Sequence, residues 1–441
     1  MSLTLAGGLV VEALDPPSVV EADVAVEDGR IAAVGPADRA GTVIDCSGCV
    51  VIPGNVCAHT HLYSALARGM PYRLDPPRNF VEILRRVWWR LDRALDEDSV
   101  RASALVGGME ALLAGTTSVV DHHASPDAIA GSLDVIADAL QEVGLRSVLC
   151  YEVTDRDGPE RAEAGIQENR RFLEAPPRPL ARGMVGAHAS FTLSPETLAG
   201  CAEVARGTGA GVHVHVAEDL ADQADSEARF GMPVVERLAE AGALEGRSLL
   251  AHCVHVHPSE IGLIHRTGAA VAHNARSNMN NGVGRAPVEA LGDAVVLGTD
   301  GIGADMFAES QAAFWRARDD SLDAGPATTL AALSRGAAFA GDAFGEPRLG
   351  HIEPGAPADL VVLDYRPPTP FSTEKLAGHW MFGLSSRWVR DVVVAGEVVV
   401  RNRRLTKVDQ DELAAKAAVE ASRLWERMDR IGPHPFTPKG G

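Results

Sequence analysis

The sequence predicts an α/β fold: a (β/α)8 TIM barrel with a small β-sandwich domain built from both chain ends. Three observations predict it. The middle of the chain alternates short apolar runs with amphipathic stretches. Both ends are strand-like. Histidine, aspartate or asparagine closes many of the apolar runs in the middle, where barrel strands would converge.

At the N-terminus, Leu3–Val11 and Ala22–Val26 read as strands, Asp28-Gly29 as a hairpin turn and Arg30–Val34 as the next strand. At the other end, Asp359–Asp364, Val389–Val394 and Glu397–Arg401 are Val-rich, with Ala395-Gly396 as a turn. Neither end holds enough strand for a good sheet of its own. Residues 1–53 and 353–441 are therefore read as one small domain, with the barrel, 54–352, inserted between them. Within 407–430, Leu413, Ala417, Ala421, Leu424 and Met428 share one helical face, so a helix is expected to pack on the outside. Pro433 to Gly441 is expected to be a loose tail.

The barrel strands are read at Val50–Ala58, Ser118–Asp121, Ser147–Tyr151, Met184–His188, Gly211–His215, Ser248–His252, Ala269–Asn274 and Ala294–Asp300. The Asp96–Ala114 helix is typical of the connections. Val100, Ala104, Leu105, Met109, Leu112 and Leu113 lie on one face, and Gly115 stops it. A doubly wound sheet would want a Gly-rich phosphate turn after an early strand. Gly107-Gly108 instead falls inside a helical pattern.

Composition narrows the function. Among 441 residues, 41 Lys+Arg face 60 Asp+Glu, a formal charge of −19. That field disfavours nucleic acid and anionic membranes. No run of eighteen apolar residues suggests a membrane span, and the first residues lack a basic, cleavable leader, so a cytoplasmic location is expected. Six Cys do not make a disulfide scaffold, and Cys46 and Cys49 read as core or turn residues.

The chemistry is carried by histidine. Twelve of fifteen His fall between positions 59 and 273. In His59-Thr60-His61, residues two apart on a strand point the same way, so both rings can face the barrel interior. His213-Val214-His215 repeats the geometry, and Asp300 ends the eighth strand. Imidazoles with one carboxylate, and a position left for water, make a catalytic site for zinc or a similar ion. One His-x-His pair alone would read as two satisfied core histidines. Two pairs and an Asp, all at strand ends, favour metal.

Val51-Ile52-Pro53-Gly54-Asn55-Val56-Cys57-Ala58-His59-Thr60-His61 resembles the first-strand signature of the amidohydrolase superfamily. His213-Val214-His215-Val216-Ala217-Glu218, Ala251-His252-Cys253-Val254-His255 and Gly298-Thr299-Asp300-Gly301 resemble its later motifs, in order. The spacing is similar to the branch of guanine, cytosine and adenosylhomocysteine deaminases and triazine hydrolases. Asp121-His122-His123-Ala124-Ser125-Pro126 and Ser277-Asn278-Met279-Asn280-Asn281 are closest to the aminohydrolases called SsnA.

The resemblance implies metal ligands His59, His61, His215 and Asp300. It implies Glu218 as proton shuttle and His252 as the group that polarises substrate or its oxyanion. Asp300 would also orient the attacking water. His188 matches a substrate-contacting position. Binuclear relatives place a carboxylated Lys there, and no Lys is near, which implies one divalent ion, with zinc favoured and iron the alternative. His213 reads as support for the ligands.

The segment Tyr63–Leu95, with Phe80, Trp88, Trp89 and seven Arg, reads as a lid, and Trp89 as a stacking residue for a planar substrate. His123, at the end of the second strand, and Asn278, after the seventh, are further candidates for substrate contact. The expected activity is hydrolytic deamination of a nitrogen heterocycle such as a purine, pterin or triazine. Ring opening of a cyclic amide, or dehalogenation, is the alternative in the same site. The expected partner is a small-molecule substrate, and family analogy implies a homodimer.

Overall fold

Residues 2–36 and 41–439 are described by the computed structural model of the chain. Eight parallel staves form the barrel. Asn55–Thr60, Thr116–His123, Arg146–Tyr151 and Ala181–Gly183 pair in one arc. Val185–Ala189, Val212–Val216, Leu249–His252, Ala270–His273 and Val295–Leu297 pair in the other. Met184 interrupts the fourth stave, so its two halves belong to different arcs. Parallel bridges join the arcs at both seams, Thr60 with Asp300 and Val153 with Ala187. Strands buried on both faces read as continuous apolar runs, which is why they were visible in the sequence. Ala58, Val120, Val148, Cys150, Met184, Leu249, Ala272 and Val296 form one cluster drawn from seven staves.

The predicted strand Val50–Ala58 is two strands. Val50–Pro53 pairs with Leu360–Leu363 and Ser2–Leu14, and Asn55–Thr60 enters the barrel. Gly54 marks the change. A Cβ there would lie 2.1 Å from the Thr117 hydroxyl oxygen, so only glycine lets the chain cross. Both chain ends hydrogen-bond into one nine-stranded sheet. Its hairpins turn at Asp28-Gly29 and Ala395-Gly396, with positive φ at all four residues, as a type I′ turn requires. Cys46 and Cys49 are free thiols in this sheet's core.

A buried ion pair links the sheet domain to the barrel. Arg146 donates from Nε and Nη2 to the two Asp359 carboxylate oxygens, each at 3.0 Å. Asp359 also accepts the Ala395 N–H at 2.7 Å. Asp359→Ala strands the guanidinium, and the expected loss is about 3–5 kcal/mol. A urea midpoint equal to that of the parent protein would show that the pair does not hold the two together.

The Glu97–Leu113 helix matches the reading of 96–114, with Asp96 and Ser99 forming a capping box. Helix Gln410–Asp429 packs on it and on Trp89–Ala94. The segment after that helix is not loose. The His434 N–H donates to the Arg85 carbonyl at 2.9 Å, and the Lys439 N–H to Asp225 Oδ1 at 2.6 Å. The expectation failed because Pro and Gly content reads as a linker, while docking depends on partners more than 200 residues away. Gly440 and Gly441 lie outside the described residues. Among the described residues, no helix is long and apolar enough to cross a membrane.

Candidate active site

The strand ends meet as the barrel reading requires. The donor atoms of His59, His61, His215 and Asp300 all lie within 4.8 Å of one another. The ring orientations are fixed from behind. His61 Nδ1 donates to the His122 carbonyl at 2.6 Å, and His215 Nδ1 to the His188 carbonyl at 2.9 Å. Both rings therefore present Nε2 forward, 3.1 Å apart, with Asp300 Oδ1 at 3.0 Å from His61 Nε2. Two such lone pairs repel unless a cation lies between them. His59 bonds His213 Nε2 through Nδ1 at 2.8 Å, and its own Nε2 is buried, 3.5 Å from Asp300 Oδ1, with no hydrogen-bond partner among the described residues. These converging imidazole nitrogens and the one carboxylate fit a divalent ion. Burial holds His59 down to about 3 and His215 well below its usual range, the neutral form that binds metal. Burial opposes a proton on His61 too, but Asp300 pulls that ring up to about 9. A divalent ion would compete for the same lone pair. All four lysines lie at or beyond residue 375, and none lines the cavity over this cluster.

Left-handed backbone aims the functional groups. Ala217 (φ 45°), His252 (φ 73°), Cys253 (φ 51°) and Asp300 (φ 53°) are non-glycine residues in that region, all at barrel strand ends. Gly298 allows the approach of the eighth stave, since a Cβ there would lie 2.5 Å from Asn274 Oδ1. The turn at Ala217 carries Glu218 to the cavity. Its carboxylate lies 3.6 Å from His252 Nε2 and accepts from Asn281 Nδ2 at 3.2 Å. Burial pushes Glu218 up to about 7, with His252 opposing and Asp300 assisting. The Ser277 hydroxyl donates to Asp300 Oδ2 at 2.5 Å.

A cavity opens over this cluster. His188 and Trp89 line it, together with Phe80, Leu84, Trp88 and Phe191. The Phe80–Ala94 segment, part of the expected lid, is thus in contact with the cavity.

Two expected contacts are elsewhere. His123 does not line the cavity. It bonds the Ser125 hydroxyl at 2.9 Å and packs on Tyr63 and Tyr151. The alternation of a strand sends its neighbour His122 inward, where His122 lies 3.1 Å from the His213 carbonyl. Asn278 also stays behind the wall. Its Oδ1 accepts from His252 Nδ1 at 2.8 Å, which aims the other nitrogen at Glu218. His213 supports His59.

Sequence reasoning missed two acidic residues that line the cavity, Glu152 and Asp92. Glu152 lies 3.2 Å from His122 and 3.8 Å from His188, and Arg156 joins it to Asp92 at 3.0 and 2.9 Å. Glu152 follows the third strand directly, so the strand-end rule that found the histidines applies to it as well.

The amidohydrolase family model matches residues 50–399. The chain belongs to the amidohydrolase family. Among curated relatives of this amidohydrolase, a 5′-deoxyadenosine deaminase of Methanopyrus kandleri is 31% identical over 96% of the chain and 99% of that protein. A 5-methylthioadenosine/S-adenosylhomocysteine deaminase of Desulforudis audaxviator is 32% identical over 92% of the chain and 95% of the relative. Among solved structures, a zinc-bound adenosine deaminase from Xanthomonas campestris superposes with a TM-score of 0.83 at 26% identity, covering 97% of this chain and 99% of its own. The zinc complex of atrazine chlorohydrolase from Arthrobacter aurescens TC1 shares the fold, with a TM-score of 0.81 at 24% identity over 95% and 100% of the two chains.

Proposed function

We propose that this amidohydrolase is a mononuclear zinc enzyme that deaminates an aminated purine, in free or nucleoside-like form, and releases ammonia. The observation that carries the reading is Glu218. A largely buried carboxylate, pushed up to about 7 by desolvation, faces the cavity, beside Asp300 and 3.6 Å from His252. The deaminase names of relatives over 30% identical support the substrate class.

His59, His61, His215 and Asp300 would hold the ion, which when bound supplies Lewis acidity and an acidified water. The chain's own residues do the rest. Asp300, fixed by Ser277, orients the water. Glu218 takes its proton and returns it to the ring nitrogen or to the departing amine, so that ammonia leaves and the ring keeps the oxygen. His252, aimed by Asn278, stabilises charge on the tetrahedral carbon. Trp89, Phe80 and Phe191 exclude water and contact the planar ring.

Ammonia release by zinc-loaded protein from 5′-deoxyadenosine, adenosine, guanine, pterins and aminotriazines tests the reading. Turnover of one purine class is expected. A spectral change without ammonia would replace deamination by ring opening or dehalogenation.

A further inference from the structure

The chain beyond the last helix packs against the aromatic wall of the cavity. Trp89 lines the cavity, is 1% exposed, and carries a buried Nε1–H with no acceptor among the described residues. An indole so placed can form a defined wall of the cavity only if its ring is held in one orientation. Three of the groups that hold it come from the barrel. The Arg156 guanidinium stands 5.0 Å over the ring, and His188 and Phe191 lie at 6.0 and 6.4 Å. The other two come from residues 434 and 436. His434 meets the indole edge-on at 5.3 Å, and Phe436 at 5.8 Å. Phe436 also reaches Phe191, at 6.3 Å.

This segment is anchored at both ends. The Arg85 guanidinium Nε donates to the His434 carbonyl at 2.7 Å, and the His434 N–H returns a bond to the Arg85 carbonyl. His434 Nε2 faces Asp157 Oδ1 at 3.5 Å, and its Nδ1 accepts the Phe436 N–H at 3.1 Å. Lys439 then bonds Asp225 on helix Leu220–Phe230, the helix that follows Glu218. The segment therefore runs from the Phe80–Ala94 segment to the helix that follows Glu218.

We infer that His434 and Phe436 are positioning residues for substrate recognition. They fix Trp89, and through Trp89 the apolar wall that receives the heterocycle. They touch neither the metal-ligand cluster nor Glu218, so they govern binding and leave the bond-making step alone. The inference about substrate rests on the deaminase reading; the mechanical part does not.

Two readouts separate them, both on the full-length, zinc-loaded protein with 5′-deoxyadenosine as probe. Phe436→Ala is expected to raise KM about tenfold, keep kcat within about twofold and retain zinc, because the cavity left behind the indole lets it rotate. Phe436→Tyr is expected to restore KM. Hydrogen exchange at amides 84–92 is expected to quicken about tenfold in Phe436→Ala and in His434→Ala. An unchanged KM in Phe436→Ala, or a fall in kcat alone, would overturn the positioning role. Unchanged exchange would overturn the anchoring. If the parent protein releases no ammonia from any probe, the deaminase reading falls and the anchoring is judged by exchange alone.

Discussion

Glu218→Gln is expected to keep its metal and lose about 10³-fold in kcat. The amide is nearly the same size as the carboxylate, so the Asn281 contact and the packing persist. It cannot take a proton from water or give one back. The same residue sets the pH profile. Burial holds the Glu218 carboxyl near 7, and only its ionised form is a base. Activity in the parent protein is therefore expected to rise with pH up to about 7, about tenfold per unit on the acid side, and then level. The variant's residual rate should lose that limb. Turnover within a few-fold of the parent, with the limb intact, would remove the proton-shuttle role.

His215→Ala is expected to abolish both metal retention and turnover. His215 Nε2 lies 3.1 Å from His61 Nε2, and without it the cluster keeps two imidazoles and Asp300. The lost acidification is large, since a bound ion brings the pKa of its water down toward about 7. His213→Ala is the informative contrast. His213 holds His59 at 2.8 Å from behind, so its loss should weaken metal binding by about 10–100-fold without removing a ligand. Elemental analysis after dialysis distinguishes them. Full metal in His215→Ala, with none in His213→Ala, would exchange the two assignments.

The sequence was most informative where one residue type meets one structural need. Strands buried on both faces read as apolar runs, and the residues closing them converge because barrel strands are parallel. That rule places His59, His61, His215, His252 and Asp300 around one point. It fails for His123, because a stretch of two histidines on a strand sends them to opposite sides, and the sequence does not say which side is inward. Asn278 was misplaced for a related reason. Asparagine in a loop serves substrate and imidazole equally well, and the choice depends on the left-handed turn at His252. Glu152 ends a strand as plainly as the histidines do, but a lone acid after an apolar run resembles any solvated loop residue. His434 and Phe436 carry no local signal at all. Their role comes from contacts with Trp89 across more than 340 positions, and no periodicity records those.

The most direct test of the metal-dependent hydrolase is a titration. Metal-free protein would receive zinc in steps, with ammonia release from the preferred purine measured at each step. Activity is expected to be absent at the start and to climb linearly to a plateau at one zinc per chain. Full activity without metal, or a plateau only at two per chain, would contradict a single ion held by His59, His61, His215 and Asp300.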